Sequence, residues 1–442
     1  MAVQIENLQS PSAEADVLII GAGPVGAFLA YRLGKQGITV TVLEKAPELP
    51  YSPRAVGYYG AAQVALQKAG LYDLVRAEGF MTAGLCWRTP PVSRGTDGGK
   101  TYGEMIASQP LCDPNDTTFP FPSGLLNLRQ SELTKLLLRE ALHTGFVTVR
   151  WNAELTAIED PNPASGDRVT VVTRNPATNT YSRFSGAYLV GADGGKSTTR
   201  KLLGIPCLGH TWPERLISTD VVLLNEVDPV YHTCYVMATP NPTILTPLAD
   251  PVLGQKTLWR YTISVPAEDT RSDEELLKEE TIKTFYDEVM VGPRPLDVTI
   301  QQRAVYRIHQ RLVQTMRRGR CLLAGDAAHL NNPYGAMGLN TGLLDADALS
   351  EALIMILKES RSDKLLTLYS DERRKVFQSF VNPTTTENKL RLQQPYSKET
   401  VREDYFFREL QDATPETLQE KAKPYFELWC TDIRALAGKL GM

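Results

Sequence analysis

Cysteine is scarce and scattered in this chain of 442 residues. Cys86, Cys112, Cys207, Cys234, Cys321 and Cys430 form no C-x-x-C pair, so spacing points to neither a metal site nor a redox dithiol, and reduced thiols are expected. No apolar run approaches the ~20 residues that a membrane-crossing helix needs. The polar, acidic stretch ahead of Asp16 lacks the charged-then-apolar layout of a secretory signal. The end, Lys439-Leu-Gly-Met442, matches no prenyl or peroxisomal address. A formal net charge of −4 and the lack of a basic stripe argue against nucleic acid as a partner. Internal repeats and low-complexity segments are missing too. These absences leave an intracellular, cytoplasmic protein without a stable membrane span, long enough for two joined domains and open as to monomer or dimer.

Glycine and aspartate, by contrast, gather in three short motifs: Gly21-Ala-Gly23-Pro24-Val25-Gly26, Gly191-Ala-Asp193-Gly194 and Gly325-Asp326-Ala-Ala-His329. The first joins an apolar strand, Asp16 to Ile20, to a run with helical periodicity, Pro24 to Lys35, and a second strand follows from Ile38 to Glu44. Such a βαβ unit binds a diphosphate. Gly21 permits the tight turn, Gly23 admits the anion to the backbone, Gly26 brings helix against strand, and the helix N-terminus offers free amides and a positive dipole. Glu44 lies 44 − 21 = 23 positions after the first glycine, where a carboxylate accepts both hydroxyls of an adenosine ribose.

Further along, Gly60 to Ala69 and Arg129 to His143 read as helices, and residues 82–122 read as a Gly- and Pro-rich excursion over the surface or the pocket. Strand-like segments at Thr148 to Trp151, Leu155 to Glu159 and Val169 to Thr173 lead to the second motif. From Pro206 to Gln302 the pattern becomes β-rich alternation (Leu216 to Leu223, Thr233 to Ala238, Thr257 to Val265) with one helix, Glu274 to Val289. Arg320 to Asp326 reads as a buried strand, Gly338 to Leu357 as a helix, and the remainder as helices with charged faces. Within that remainder Tyr425-Phe426 and Leu428-Trp429 suit packing on the body or on a partner.

On the three motifs, and over roughly residues 16 to 380, the chain resembles the group A flavoprotein monooxygenases. This single-component family includes p-hydroxybenzoate, phenol and aromatic polyketide hydroxylases. The resemblance implies an α/β fold with a Rossmann-like FAD-binding domain of the p-hydroxybenzoate hydroxylase type, discontinuous over 1–85, 123–205 and 303–380. A β-rich substrate domain over 86–122 and 206–302 is interleaved with it, and a C-terminal helical segment covers 381–442. It also implies that Gly21, Gly23, Pro24, Val25 and Gly26 hold the ADP half of FAD and Glu44, with Lys45 beside it, the ribose. Arg54 lies near the flavin and Arg129 along the ribityl and phosphate groups. Asp193 and Gly194 contact FAD and the nicotinamide pyrophosphate, and Gly325 and Asp326 the ribityl chain. After these, Pro333, Gly335, Gly338, Leu339 and Asn340 start a helix whose amides face the flavin pyrimidine and stabilise negative charge there. Many relatives have two prolines and Gly-Gln where this chain has Asn332-Pro333 and Ala336-Met337.

The chemistry so implied has NAD(P)H, NADPH rather than NADH by resemblance, reduce FAD. The reduced flavin then forms a C4a-hydroperoxide with O2 and hydroxylates a phenolic or polyketide-like ring. With only one dinucleotide fingerprint, the nicotinamide binds transiently across the flavin cleft. Epoxidation, Baeyer-Villiger insertion and oxidative rearrangement share the same motifs; a flavin dehydrogenase or oxidase and a non-catalytic FAD-binding protein are the readings of other classes. For the group that favours a phenolate, the strand-like segments offer His232, Tyr235, Arg260 and Tyr261. Alternation places Arg260 on the face opposite Trp259 and Tyr261.

Overall fold

The computed structural model describes residues 13–49, 54–95, 98–111, 124–160, 168–225 and 233–442; His232 and Cys112 lie outside them. Apolar, β-branched runs build the first sheet. Ala13–Ile20 pairs in parallel with Val40–Leu43 on one side and Tyr181–Gly191 on the other. Val17, Leu18 and Ile19 are wholly buried, as a parallel strand covered on both faces requires. Val147–Arg150 extends the sheet beyond Val40–Leu43, and Cys321–Leu323 joins in parallel at Leu189 to Gly191. Val169–Arg174 and Glu154–Ile158 finish one edge antiparallel. The helix Pro24–Gly34 crosses this sheet and packs against Gln130–His143 and Met337–Glu359.

The second sheet has eight strands in the order His329–Leu330, Thr299–Val313, Cys207–Leu224, Lys256–Val265, Thr243–Pro247, Thr233–Val236, Gly84–Arg88, Met105–Pro110. Alternation with period two gives it two different faces. Ile217, Val221, Trp259, Tyr261 and Ile263 pack on Ile282, Phe285 and Tyr286 of the helix Glu279–Val289 in a core of their own. The opposite face sends Trp87, Leu216, Tyr235, Ile244 and Ile308 into the main core, against the first domain. That junction is where a site between the domains has to lie.

Some local expectations give way to longer-range pairing. Part of 82–122 is not an excursion but two paired strands, Gly84–Arg88 and Met105–Pro110, because hydrogen bonding to Thr233–Val236 and to each other overrides a turn-like composition. The single helix from Glu274 is two: Ser272 and Glu275 form a capping box for Asp273–Leu276, and extended Lys278 starts Glu279–Val289. Thr299–Val313 runs straight through position 302, where the sequence reading ends the substrate sheet. Of the two packings open for Trp429 and Tyr425, both rings lie on the chain's own body, Trp429 fully buried and Tyr425 stacked 5.8 Å from Tyr59. Among the described residues no helix is long and apolar enough to cross a membrane.

Candidate active site

The glycine turn closes at van der Waals limits. Gly21, at φ +103°, lies against the Ala192 carbonyl, and a Cβ on Gly26 would sit 2.1 Å from the Gly21 carbonyl oxygen. A Cβ on Gly23, in contrast, would meet nothing within 4 Å. Gly23 is also the N-cap of Pro24–Gly34 and gives its amides no side-chain cap. Open space in front of uncapped amides is what a diphosphate needs. Glu44 holds the turn from the neighbouring strand: its Oε2 accepts from the Ala22 amide at 2.9 Å and its Oε1 from the Ala46 amide at 3.0 Å. Each carboxylate oxygen keeps a lone pair for a ribose hydroxyl. Lys45 is exposed beside it.

Asp193 has a different task from the one expected of its side chain. Its Oδ1 accepts from Ser197 Oγ at 2.5 Å, and its Oδ2 from the Thr199 amide and hydroxyl at 2.9 and 3.1 Å. The carboxylate thus shapes the loop internally, leaving the backbone around Gly194, whose Cβ position is open, as the part that can meet a ligand. Arg200, which the sequence reading missed, ties this loop to the third motif by donating to the Gly195 carbonyl at 2.8 Å and the Ala327 carbonyl at 2.9 Å. Asp326 is exposed to solvent, yet burial pushes its carboxyl up against the opposing pull of His329 and Arg54. The carboxyl is open to solvent on one side and crowded by protein on the other.

The helix that follows the third motif starts at Met337 without a side-chain cap. Asn340 does not reach a ligand with its side chain: its Oδ1 accepts from the Tyr59 amide at 3.0 Å and its Nδ2 donates to the Gly57 and Ala336 carbonyls at 3.0 and 2.8 Å. It fastens the segment after Arg54 to the helix, and what remains for a flavin is backbone amide. The two departures in this loop are compensated differently. Buried Asn332 replaces proline rigidity with hydrogen bonds to Gln310 Oε1, the Thr385 carbonyl and the Tyr334 amide. Ala336 holds φ +52°, a left-handed conformation that costs an L-residue about 1–2 kcal/mol. Ala336→Gly therefore stabilises the protein by about 0.5–1 kcal/mol after the entropy of a freer unfolded chain is subtracted, a rise of about one degree or less in Tm by calorimetry.

Across the cleft, Arg260 does lie opposite Trp259 and Tyr261, but it is not a spare cation. Its Nε and an Nη grip both oxygens of fully buried Asp220 at 2.7 and 2.9 Å, and its other Nη donates to the Arg54 carbonyl. Neutralised in this way, it holds the Arg54 loop in place. The Arg54 guanidinium stands 5.6 Å over the ring of half-buried Tyr306. Its neighbours Ala55 and Val56 accept from the Gln130 and Leu128 amides, which brings Arg54 beside Arg129, half-exposed at the start of its helix. Tyr261 belongs to the far face, buried against Tyr286, and takes no part here. Tyr235 faces the first domain, stacked on Trp87 at 5.4 Å and 14°. Burial pushes its hydroxyl up, opposed by a hydrogen bond from the Gly335 amide of the flavin loop. Neither Tyr306 nor Trp87 carries a local sequence signal; only pairing across strands puts them here.

The residues therefore fit FAD: open amides at Gly23 to Gly26 for the diphosphate, Glu44 for the ribose, Asp326 open to solvent on one side and uncapped amides at Met337 to Leu339 for the ring. Among the described residues no group of His, Cys, Asp and Glu is placed to hold a metal ion. A model of the FAD binding domain family matches residues 14–384. Para-nitrophenol 4-monooxygenase of Pseudomonas sp. (strain WBC-3) is 32% identical over 394 residues, 89% of this chain and 91% of that one. 6-Hydroxy-3-succinoylpyridine 3-monooxygenase of Pseudomonas putida (strain DSM 28022 / S16) is 30% identical, with 85% and 88% covered. The crystal structure of p-nitrophenol 4-monooxygenase from Pseudomonas putida DLL-E4 superposes with a TM-score of 0.81 at 29% identity, covering 95% of this chain and 99% of that one.

Proposed function

The chain belongs to the FAD binding domain family, among its flavin-dependent aromatic monooxygenases, and from that premise we propose that it uses NADPH or NADH and O2 to hydroxylate a phenol of a single ring. Bound FAD supplies the exchange of electrons with the nicotinamide and the activation of oxygen. The names of both relatives carry one hydroxylated ring, and this chain covers nearly their whole lengths. The observation that carries the reading is Tyr235, buried on the face of the substrate sheet that packs against the first domain and stacked on Trp87.

In this reading the open amides from Gly23 to Gly26 take the diphosphate, Glu44 and Lys45 the adenosine end, and Arg54 and Arg129 the middle of the cofactor. Tyr235 keeps its proton at every physiological pH, because its folded value lies above the usual range of tyrosine. It therefore donates to the phenolic oxygen and favours the phenolate, which raises electron density on the ring. Trp87 and Tyr59 supply apolar walls that exclude water.

Tyr235→Phe lowers the rate of product formation about 10- to 100-fold, the effect of one hydrogen bond to a charged oxygen, and leaves FAD content unchanged. The measurement is nicotinamide oxidation under air with a series of phenols, following oxygen, peroxide and product mass. Full activity in the variant would remove Tyr235 from the mechanism. No oxidation of NADPH or NADH with any phenol by the FAD-loaded protein would overturn the hydroxylase reading.

A further inference from the structure

One fully buried charged cluster has no task in the cofactor contacts above. Asp345 Oδ2 accepts from the Gly325 amide at 3.0 Å and pairs with His329 Nε2 at 2.6 Å, while its Oδ1 accepts from Arg373 Nε at 2.7 Å. Arg373 reaches onward. One Nη donates to the Trp429 carbonyl at 2.7 Å and to Thr431 Oγ1 at 3.1 Å, and the other to the Thr341 carbonyl at 3.3 Å. The Trp429 indole N–H closes the ring by donating to Thr341 Oγ1 at 2.9 Å. We infer that the C-terminal strap, residues 424–431, is a working part of the flavin site, coupled to it by Arg373 as a positioning residue.

Two routes, one charged and one aromatic, lead from the strap to the flavin motif. The charged route runs from Thr431 and the Trp429 carbonyl through Arg373 and Asp345 to the Gly325 amide, at the residue before Asp326. The aromatic route runs from Tyr425 and Trp429, 5.8 and 5.9 Å from the Tyr59 ring, to Tyr59, whose amide is held by Asn340 on the helix that caps the flavin loop. Both routes pass through Met337–Glu359, the charged one at Asp345 and the aromatic one at Asn340. A strap that only covered apolar surface would be served by leucines, since removing a guanidinium and a carboxylate from water costs several kcal/mol before their pairing offsets it. What such a pair adds over an apolar contact is a fixed geometry, here that of the Gly325 turn. The inference needs FAD at the site and does not depend on which phenol is taken.

The test reads cofactor retention, by fluorescence of flavin released on diluting the holoenzyme, together with the flavin absorption band. Arg373→Lys keeps the charge on Asp345 but cannot span to Trp429 and Thr431, and FAD affinity falls about tenfold with a shifted band. Thr431→Val gives a fall of about threefold to fivefold, and Thr431→Ser, which keeps the hydroxyl, restores it. Leu410→Ala, in the helix Tyr405–Gln411 that packs on Met105–Pro110 outside the cluster, lowers Tm without changing FAD affinity. If Thr431→Val and Arg373→Lys lower Tm like Leu410→Ala while affinity and spectrum stay as in the parent, the strap is a cover only and the inference fails. Should Arg373→Lys not fold, the Thr431 pair decides alone. A protein that passes this test yet hydroxylates no phenol keeps the inference and loses the proposed function.

Discussion

Asparagine in place of Asp345 lowers folding stability by about 3–5 kcal/mol, the loss expected when one partner of a buried ion pair is removed. Asp345, Arg373 and His329 are at most 1% exposed, so no water can replace the carboxylate once it is gone. Asparagine is close to isosteric and can still accept from the Gly325 amide, so the loss reports charge rather than shape. The pH dependence follows from the same site. Burial pushes the Asp345 carboxyl up, but His329 and Arg373 outweigh it and hold it below the usual carboxylate range. A group with a lowered folded value contributes stability above its unfolded value, near 3.9, and loses it as pH falls through the folded value. The part of the difference that comes from the Asp345 carboxyl is thus present above about pH 4 and is lost below it. Urea unfolding at pH 7 and at about pH 3 measures both; a deficit under about 1 kcal/mol at pH 7 would contradict the assigned role.

Gly26→Ala yields a protein that retains no FAD. The added Cβ would fall 2.1 Å from the Gly21 carbonyl oxygen, and Gly21 cannot retreat, because a Cβ built on it would already be 2.6 Å from the Ala192 carbonyl oxygen. Strand, turn and second motif are stacked backbone on backbone. The helix Pro24–Gly34 must therefore shift outward by about an ångström, which takes its N-terminal amides off the diphosphate and opens its contacts with the strand below. The ratio of flavin absorbance to protein after gel filtration measures the result. A yellow variant with one FAD per chain would show that the turn has slack that its geometry denies.

Gly21, Gly23, Gly26 and Glu44 could be read from the chain because a βαβ turn is a local structure: strand, turn, helix and strand lie within about 30 residues, and each glycine answers a steric demand set by its neighbours in sequence. Asp193 shows the limit of such motifs. Its place was legible, but its carboxylate is spent on Ser197 and Thr199, and a motif does not say whether a side chain faces a ligand or its own loop. Arg260 and Tyr261 show another limit. Alternation put them on opposite faces, as found, but not which face meets the first domain, and the partner that neutralises Arg260 lies 40 positions away.

The amino-acid sequence by itself determined the family, the diphosphate turn and the existence of two sheets, since these rest on periodicity and on short motifs with a backbone reason. Only the tertiary structure decided that Tyr235 rather than Tyr261 faces the flavin loop, that Arg260 is consumed by Asp220, and that the C-terminal strap reaches Asp345 through Arg373. Those outcomes depend on strand register and on contacts between residues far apart in the chain, such as Thr341 and Trp429, 88 positions apart, and Arg54 and Arg260, 206 apart. Local propensity carries no information about such pairs; the burial of one face against another selects them.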